Sequence, residues 1–278
     1  MTALVVVPAS SANLGPGFDA LGMALGLHLL AGTEAWAEAP EPVGAGHPAL
    51  VAFRRLGGEG PLFVRSPIPM GRGLGFSGAA RVAGLVAACH QRGGYHPVTD
   101  GSEVLAVASE LEGHADNVAA SLLGGVVATA GGLAVRVPLA VDPAVVVWVP
   151  RTTTSTDESR TRIPSAVSLD AAVFNVGRTA LLVAALAGGE VGALRTATAD
   201  RLHQDARFGA APASRAALDA VLAAGAWCGW LSGSGPAVAA LCDAAGAEAL
   251  EAALAGLTDD GHTKVLRIDH EGAVVTDT

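Results

Sequence analysis

The feature that most restricts the fold of this chain is a glycine-rich segment that runs directly into a long, alanine-rich apolar stretch ending near Gln91. Glycine permits positive φ and close backbone approach, and successive N–H groups at a helix N-terminus bind anions. The segment therefore predicts a phosphate-binding loop followed by a helix over 77–91, although a plain structural connector has the same pattern. The segment consists of Pro69, Met70, Gly71, Arg72, Gly73, Leu74, Gly75, Phe76, Ser77, Gly78 and Ala79, and is called the glycine loop below.

The charge of the chain limits its ligands. The formal net charge of −9 argues against a general nucleic-acid binder, which needs a basic face. Lys264 is the only lysine among 17 basic residues, so a P-loop with its phosphate-binding lysine is excluded. An anionic ligand must therefore be met by arginine, by backbone N–H groups or by a metal ion.

The order of apolar and polar stretches predicts an α+β chain with two halves, residues 1–150 and 151–278, because a polar run begins directly after Pro150. A short further helix is predicted to open at His114. The predicted strands are 3–7, 62–66, 126–129, 134–138, 144–149, 226–231, 236–242 and 263–268, and 20–30 is a second apolar segment. The other predicted helices are a short one over 47–56 and those over 77–91, 102–112, 169–186, 191–203, 214–224 and 244–255.

Two further segments, Pro8 to Gly22 and Leu231 to Leu241, are also rich in glycine, serine and proline. With the glycine loop between them, they resemble in order the three signature motifs of the GHMP kinases, and the first is similar to that of homoserine kinases. Segments 112–118, 155–160, 174–178 and 200–207 extend the resemblance over nearly the whole chain. The resemblance implies the two-lobed GHMP kinase fold, with a ribosomal protein S5-like N-terminal lobe and a ferredoxin-like C-terminal lobe.

The resemblance also implies an activity: ATP-dependent phosphorylation of the side-chain hydroxyl of L-homoserine to O-phospho-L-homoserine, a step of threonine biosynthesis. ATP and Mg²⁺ are the implied cofactors, and the glycine loop is the implied nucleotide site. The implied partners are a small hydroxylated amino acid and a second copy of the chain.

An amino-acid acceptor carries an ammonium and a carboxylate, so its site needs an anion and one or two arginine forks. By resemblance, the acceptor is bound by Asn13, Asp19, Asn117, Arg160 and Arg207, and the catalytic residues are Asn117 and Arg160. An amide cannot take a proton. The resemblance thus implies that Asn117 orients the hydroxyl while its proton passes to phosphate or solvent.

The implied metal ligand is a glutamate on the helix before His114, where Glu110 and Glu112 both qualify and Glu110 is preferred. We interpret His114 and His203 as structural histidines.

The glycine loop departs from the pattern of active relatives at Phe76, where a small hydroxyl residue is usual. The interval before the loop, which helps to form the adenine pocket in the family, is also shorter. Two alternatives therefore stay open: a GHMP-type kinase for another hydroxylated acid or amino alcohol, and a catalytically weak binding protein.

The chain shows neither a membrane span nor a basic leader, so a cytoplasmic protein is expected. Its three cysteines, Cys89, Cys228 and Cys242, lack metal-ligand spacing and are expected to be buried free thiols.

Overall fold

The computed structural model describes residues 3–257 and 261–277. Helices and antiparallel strands are mixed along this chain, which confirms the predicted α+β class. The strands are β1 Ala3–Ala12, β2 Leu21–Gly32, β3 Phe63–Arg65, β4 Val126–Ala130, β5 Leu133–Val137, β6 Ala144–Val149, β7 Cys228–Leu231, β8 Val238–Cys242, β9 His262–Leu266 and β10 Val274–Asp277. The helices are α1 Pro48–Arg55, α2 Phe76–Gln91, α3 Pro97–Glu112, α4 Asp116–Leu123, α5 Thr156–Thr161, α6 Leu169–Gly188, α7 Val191–Ala197, α8 Gln204–Phe208, α9 Pro212–Ala223 and α10 Ala247–Ala255.

The strands form two antiparallel sheets. The first has the order β10-β1-β2-β4-β5, with β3 also paired to β2, and the second has the order β7-β8-β6-β9. Helices α2 and α4 pack on the first sheet, whereas α9 and α10 pack on the second. Each sheet thus buries one face under helices, as two-layer packing requires.

The division at residue 150 does not coincide with this topology. Strand β6, which precedes residue 150, lies in the second sheet between β8 and β9. The last strand, β10, returns to the first sheet and pairs with β1, for example Val5 opposite Val275. Sequence order alone does not reveal these crossovers, because strand pairing is set by long-range contacts.

Helix α2 is central to the first lobe, and 11 of its 16 residues are buried. Its small residues allow close approach: a Cβ added to Gly84 would lie 2.0 Å from the carbonyl oxygen of Ala49 on α1. The alanine-rich run after the glycine loop therefore serves close helix packing as well as helix formation.

Several element boundaries differ from the predicted ones. The predicted helix 191–203 ends at Ala197 as α7. Asp200 then accepts backbone hydrogen bonds from Leu202, His203 and Gln204, and a separate helix, α8, starts at Gln204. Helix α3 begins at Pro97, in keeping with the preference of proline for a first turn. Helices α5 and α8 and strand β10 have no counterpart among the predicted elements.

The three cysteines are buried and free, as expected. In the described part of the chain, α6 alone is long and apolar enough to cross a membrane. Its buried Asn175, however, donates to the carbonyl of Pro16 and to Asp200, which ties this helix to the rest of the fold.

Candidate active site

The three glycine-rich motifs meet in space. Gly73 has φ +76°, and an added Cβ would lie 2.1 Å from the carbonyl oxygen of Ser232 in the turn between β7 and β8. Gly75 has φ +68°, and an added Cβ would lie 2.0 Å from Oγ of Ser10 at the end of β1. Any other residue at these two places would be strained and would collide with a neighbouring motif.

A buried hydrogen-bond chain holds the motifs together. The hydroxyl of Ser232 donates to the carbonyl of Gly73 at 2.6 Å and shares a bond of 2.7 Å with Oγ of Ser11. Ser11 in turn accepts from Nε1 of Trp230 at 2.9 Å. Since Ser232 already donates to Gly73, Ser11 is the donor to Ser232, and every proton in the chain has an acceptor.

Four consecutive carbonyls of the glycine loop, those of residues 71–74, face the protein. They accept from the backbone of Thr154 at Gly71, of Ala237 at Arg72 and of Ser10 at Leu74, and from the Ser232 hydroxyl at Gly73. The opposite edge of the loop faces a pocket, and α2 begins there at Phe76 with no side-chain cap. Uncapped N–H groups and the helix dipole make this pocket suited to an anion.

Residues from four parts of the chain line this pocket, which we call the loop pocket. Its lining consists of Pro69, Gly71, Gly73, Leu74, Gly75, Phe76, Ser77, Glu112, His114, Asn117, Thr154, Thr156, Gly233, Ser234 and Gly235.

Four residues of the glycine loop lie outside this lining. The guanidinium of Arg72 donates to the carbonyls of Met70, Pro150 and Arg151, so it fastens the loop to the connection after β6. Met70 is exposed, and Ala79 is fully buried. Gly78 packs against Val118 on α4. Nucleotide binding by these four residues stays a prediction, and it would rest on their backbone N–H groups.

The two candidate glutamates of α3 point in different directions. Glu110 is exposed and pairs with Arg55 at 3.4 Å, away from the loop pocket. Glu112 lines the pocket, accepts from the Ser77 hydroxyl at 2.9 Å and pairs with Arg81. The choice of Glu110 as the metal ligand stays a prediction, and the structure places Glu112 rather than Glu110 at the loop pocket.

Arg81 lies on α2 one turn after Ser77 and has its Nε buried without a hydrogen-bond partner. Burial lowers the pKa of its guanidinium. The cation of Arg81 therefore offsets the charge of Glu112, a role that the sequence analysis did not assign.

Phe76, the residue that departs from the family pattern, begins α2 and lines the loop pocket. Its ring meets the His47 ring edge to face, with centroids 5.8 Å apart. Burial lowers the pKa of His47, so this imidazole is disposed to stay neutral beside the aromatic ring.

Asn117 lines the same pocket at the start of α4. Its Oδ1 accepts from the Ser10 hydroxyl at 2.9 Å, and Asp116 accepts its backbone N–H at 2.7 Å. His114, also in the lining, pairs through Nδ1 with Asp116 at 3.0 Å. The fixed amide oxygen of Asn117 leaves Nδ2 as its available donor.

On the other side of Gly233 lies a second group, the acceptor cluster of Asn13, Asp19, Arg160 and Arg207. Asp19 receives a fork from Arg160, with Nη1 to Oδ2 at 3.0 Å and Nη2 to Oδ1 at 2.6 Å. Asn13 accepts the Asp19 backbone N–H at 3.0 Å and donates to the carbonyl of Gly233. Both residues have positive φ, which asparagine and aspartate tolerate better than other non-glycine residues.

Arg207 is buried on α8. Its Nη1 donates to Nδ1 of His203 and to the carbonyl of Gly233, each at 3.0 Å, while its Nε has no partner. Because Arg207 can only donate, His203 accepts at Nδ1 and therefore donates from Nε2 to the carbonyl of Gly15 at 2.7 Å. Burial and Arg160 lower the pKa of Arg207 to about 10, which leaves it charged at neutral pH.

The ring of Phe18 lies near both arginines of the acceptor cluster. The guanidinium carbons of Arg160 and Arg207 lie 5.6 and 5.3 Å from its ring centroid, within cation–π range. The His203 ring is 5.0 Å away. Sequence reasoning did not single out Phe18 or Ser10, and their position directly beside motif residues is the signal that could have found them.

Comparison with known proteins agrees with this architecture. The family models "GHMP kinases N terminal domain" and "GHMP kinases C terminal" match residues 47–125 and 182–257. Homoserine kinase of Thermus thermophilus is 41% identical, with 94% of each chain covered. Homoserine kinase of Desulfitobacterium hafniense is 37% identical over 98% of this chain and 99% of the relative.

Solved structures agree as well. The crystal structure of homoserine kinase from Cytophaga hutchinsonii superposes with a TM-score of 0.85 at 26% identity, covering 99% of this chain and 98% of that one. A mevalonate kinase superposes with a TM-score of 0.70 at 14% identity over 96% of this chain and 99% of that one, which shows a shared fold. With its three motifs in contact with one another and its full-length likeness to these proteins, the chain belongs to the GHMP kinases and, within them, to the homoserine kinase family.

Proposed function

We propose that this chain phosphorylates the side-chain hydroxyl of L-homoserine with ATP, giving O-phospho-L-homoserine for threonine biosynthesis. One observation carries the proposal beyond family membership. Asn13 and Arg207 of the acceptor cluster both donate to the carbonyl of Gly233, which also lines the loop pocket. An amino-acid site and a phosphate site thus share one residue, as transfer between two bound substrates requires.

The nucleotide phosphates lie, in this proposal, against the glycine loop. Supporting it are the four loop carbonyls that are turned into the protein and the uncapped start of α2. Binding then rests on backbone N–H groups, since the Arg72 guanidinium is engaged elsewhere.

The donor set around Ser77 and Glu112 fits Mg²⁺. This ion is commonly held by one or two carboxylates together with substrate phosphates and water, so a protein cage of several carboxylates is not needed. We assign Glu112, rather than Glu110, as the carboxylate ligand, with the Ser77 hydroxyl beside it. When bound, the metal ion neutralises charge on the phosphates.

In the acceptor cluster, Asp19 receives the ammonium of homoserine, and Arg160 with Arg207 receives the carboxylate. The unpartnered Nε of buried Arg207 supports this role, because such a donor needs an acceptor and a carboxylate oxygen would supply one. Asn13 holds the backbone of Asp19 in place through its amide oxygen.

For the chemical step, Asn117 donates from Nδ2 to the acceptor hydroxyl and aligns it, and Arg160 supplies positive charge nearby. Glu112 and His114 are the titratable side chains in the described pocket lining, and each has a partner, Arg81 and Asp116. The hydroxyl proton accordingly passes to phosphate or solvent, as a loose phosphoryl-transfer transition state allows.

A coupled ADP-release assay with Mg-ATP and homoserine, threonine, serine or mevalonate tests the proposal. Homoserine is expected to give the highest kcat/KM. Faster turnover of another acceptor would favour a kinase of this fold for a different hydroxylated acid or amino alcohol. Absence of turnover with every acceptor, together with no Mg-ATP binding by calorimetry, would leave the binding-protein alternative, which the Phe76 ring in the loop pocket favours.

We further infer a cytoplasmic homodimer that binds neither nucleic acid nor membrane. The net charge of −9 supports the lack of nucleic-acid binding. Val173 and Val176 on α6 are 62% and 71% exposed, and such an apolar patch supports a protein contact. Light scattering after size exclusion measures the oligomeric state, and a monomer at micromolar concentration would refute the dimer.

A further inference from the structure

The Glu112 carboxylate is held by two side chains of α2 that bind the same oxygen atom. The Ser77 hydroxyl donates to Oε2 at 2.9 Å, and Nη1 of Arg81 also pairs with Oε2. Because Ser77 and Arg81 are one helical turn apart, they lie on the same face of α2 and reach the carboxylate together. Within the described residues, neither of these contacts of Glu112 involves Oε1, so this oxygen keeps its lone pairs for a ligand in the loop pocket.

The pair of Arg81 and Glu112 is enclosed, in contrast to the pair of Arg55 and Glu110 on the same helix α3. The exposed fractions of the side chains are 22% for Arg81 and 11% for Glu112, but 52% for Arg55 and 64% for Glu110. Water and salt screen an enclosed ion pair much less than an exposed one. The contact with Arg81 is therefore the stronger restraint, and it fixes the orientation of the Glu112 carboxylate.

Two roles of the Arg81 cation would affect nucleotide binding in opposite ways. If it only attracted the phosphates, metal-free ATP would depend on it more than Mg-ATP, because Mg²⁺ offsets part of the negative charge of the nucleotide. If it holds Glu112, Mg-ATP depends on it more, because Glu112 takes part only when the metal ion is bound. Arg81 lies behind Glu112 and is not one of the residues that line the loop pocket, which favours the second role.

We propose that Arg81 is a positioning residue for the metal-bound nucleotide: by holding Oε2 of Glu112, it directs Oε1 toward the metal ion. The proposal rests on the proposed function, in which Glu112 is the carboxylate ligand of Mg²⁺, and adds a residue that touches neither the metal ion nor the nucleotide. A group of this kind contributes to metal affinity only through the ligand that it orients. The effect of Arg81 must therefore disappear once residue 112 no longer binds the metal ion.

The test measures the affinity for adenylyl imidodiphosphate, an ATP analogue that resists transfer of its terminal phosphoryl group. Calorimetry gives its dissociation constant with EDTA and with saturating Mg²⁺, and the ratio of the two constants is called the metal gain. Arg81→Met keeps an apolar stem and removes the cation, and it should lower the metal gain by about tenfold. Arg81→Lys keeps a charged donor and should retain the metal gain to within about threefold of wild type.

Two further substitutions make the result specific to this pair. Arg55→Met removes the arginine of the exposed pair on α3 and should leave the metal gain within about twofold of wild type. Glu112→Gln should abolish most of the metal gain. Adding Arg81→Met to Glu112→Gln should lower it no further, because residues that act through one another are not additive. Thermal melts establish that each variant is folded.

Three outcomes would overturn the inference: an unchanged or larger metal gain in Arg81→Met, an equal loss in Arg55→Met, or a further loss when Arg81→Met is added to Glu112→Gln. A larger metal gain would identify Arg81 as a charge that acts on the phosphates directly.

The same measurements test the proposed function separately. A wild-type protein whose nucleotide affinity does not respond to Mg²⁺, or a Glu112→Gln variant with the full metal gain, refutes the assignment of Glu112 and the inference with it. Loss of the metal gain in Glu112→Gln without a loss in Arg81→Met refutes only the role of Arg81.

Discussion

The Ser77 hydroxyl donates a hydrogen bond of 2.9 Å to the Glu112 carboxylate and thereby links the start of α2 to the end of α3 at the loop pocket. Arg81, one turn further along α2, pairs with the same carboxylate. The Ser77 hydroxyl and the Glu112 carboxylate, with the Arg81 guanidinium beside them, lie where the phosphates of a nucleotide are proposed to bind. The charge of Glu112 is therefore accessible to a metal ion yet balanced without one.

This arrangement predicts that Glu112→Gln lowers kcat by at least about a hundredfold, since a carboxylate ligand to the metal ion is lost near the transferring phosphoryl group. Glu110→Gln is the matched control on the same helix, and its kcat should stay within about twofold because Glu110 pairs with Arg55 at the surface. Steady-state kinetics over a range of Mg²⁺ concentrations provide the measurement. A larger loss in Glu110→Gln would show that the assignment is reversed.

Gly71 and Gly73 of the glycine loop differ in the space available for a side chain. Gly71 and Gly73 both have positive φ, so an alanine at either place is strained by about 1 kcal/mol. A Cβ at Gly73 also meets the Ser232 carbonyl at 2.1 Å, whereas at Gly71 its nearest neighbour is Cβ of Thr153 at 3.4 Å. Gly73→Ala should therefore reduce the free energy of unfolding much more than Gly71→Ala in urea titrations. Equal losses would mean that the motifs are not in contact there.

The two arginines of the acceptor cluster are expected to differ in what their loss does. Arg207→Ala and Arg160→Ala should each raise the KM for homoserine by at least tenfold, about 1.4 kcal/mol. Because Arg207 is buried and bonded to His203 and Gly233, its substitution should also lower the melting temperature. Arg162→Ala, whose partner is Glu158, is the control and should change neither quantity. A KM within about threefold of wild type would remove that arginine from the site.

The parts of this molecule that the sequence predicted are those fixed by local chemistry. Positive-φ glycines before an apolar run place the glycine loop and the start of α2 to within one residue. The choice between Glu110 and Glu112 depends instead on which side of α3 faces the pocket. Residues two positions apart on a helix, such as Glu110 and Glu112, point about 200° away from each other. The packing of α3 on α2 therefore decides which of the two glutamates faces the pocket, and the spacing in the sequence cannot.

Other features depend on contacts between distant segments. Arg72 is adjacent to the phosphate site in sequence, yet carbonyls of Pro150 and Arg151 bind its guanidinium. Phe18 is one of several apolar residues in its motif, and its proximity to Arg160 and Arg207 follows from the positions of α5 and α8. The pairing of β10 with β1 likewise closes the first sheet across the whole length of the chain. Such relationships become visible only once the sheets and helices are assembled.

The buried contact between His203 and Arg207 predicts a pH dependence of stability. Burial and the Arg207 charge lower the pKa of His203 below its ordinary value of 6.5, although Asp200 opposes them. As pH falls below 6.5, the unfolded chain binds a proton that the folded protein does not, so folding stability declines. The decline is at most about 1.4 kcal/mol per pH unit for one proton and ends at the folded-state pKa.

Urea titrations of wild type and His203→Gln between about pH 7.5 and about pH 5.5 measure this effect, a range of about one unit either side of the unfolded histidine pKa. Glutamine offers an oxygen to Arg207 and an N–H to the Gly15 carbonyl but does not titrate. The variant should have the shallower slope over this range. Equal slopes would show that His203 takes up its proton in the folded protein as readily as in the unfolded chain.

Phe76 lies at the start of α2 in the loop pocket, where its substitution tests the effect of the aromatic ring on kcat. Its half-buried ring packs against His47 and lines the loop pocket beside Ser77. Phe76→Ser should lower stability by about 1–3 kcal/mol, since aromatic packing is lost and a cavity is left. It also places a hydroxyl near the proposed metal and phosphate site, which should raise kcat by about tenfold, or 1.4 kcal/mol of transition-state stabilisation.

Phe76→Ala is the matched control, because it removes the ring without adding a hydroxyl. A gain in kcat with serine and none with alanine, measured with Mg-ATP and homoserine, assigns the effect to the oxygen. Equal kcat values for the two variants would instead mean that the ring alone sets the rate through the shape of the pocket.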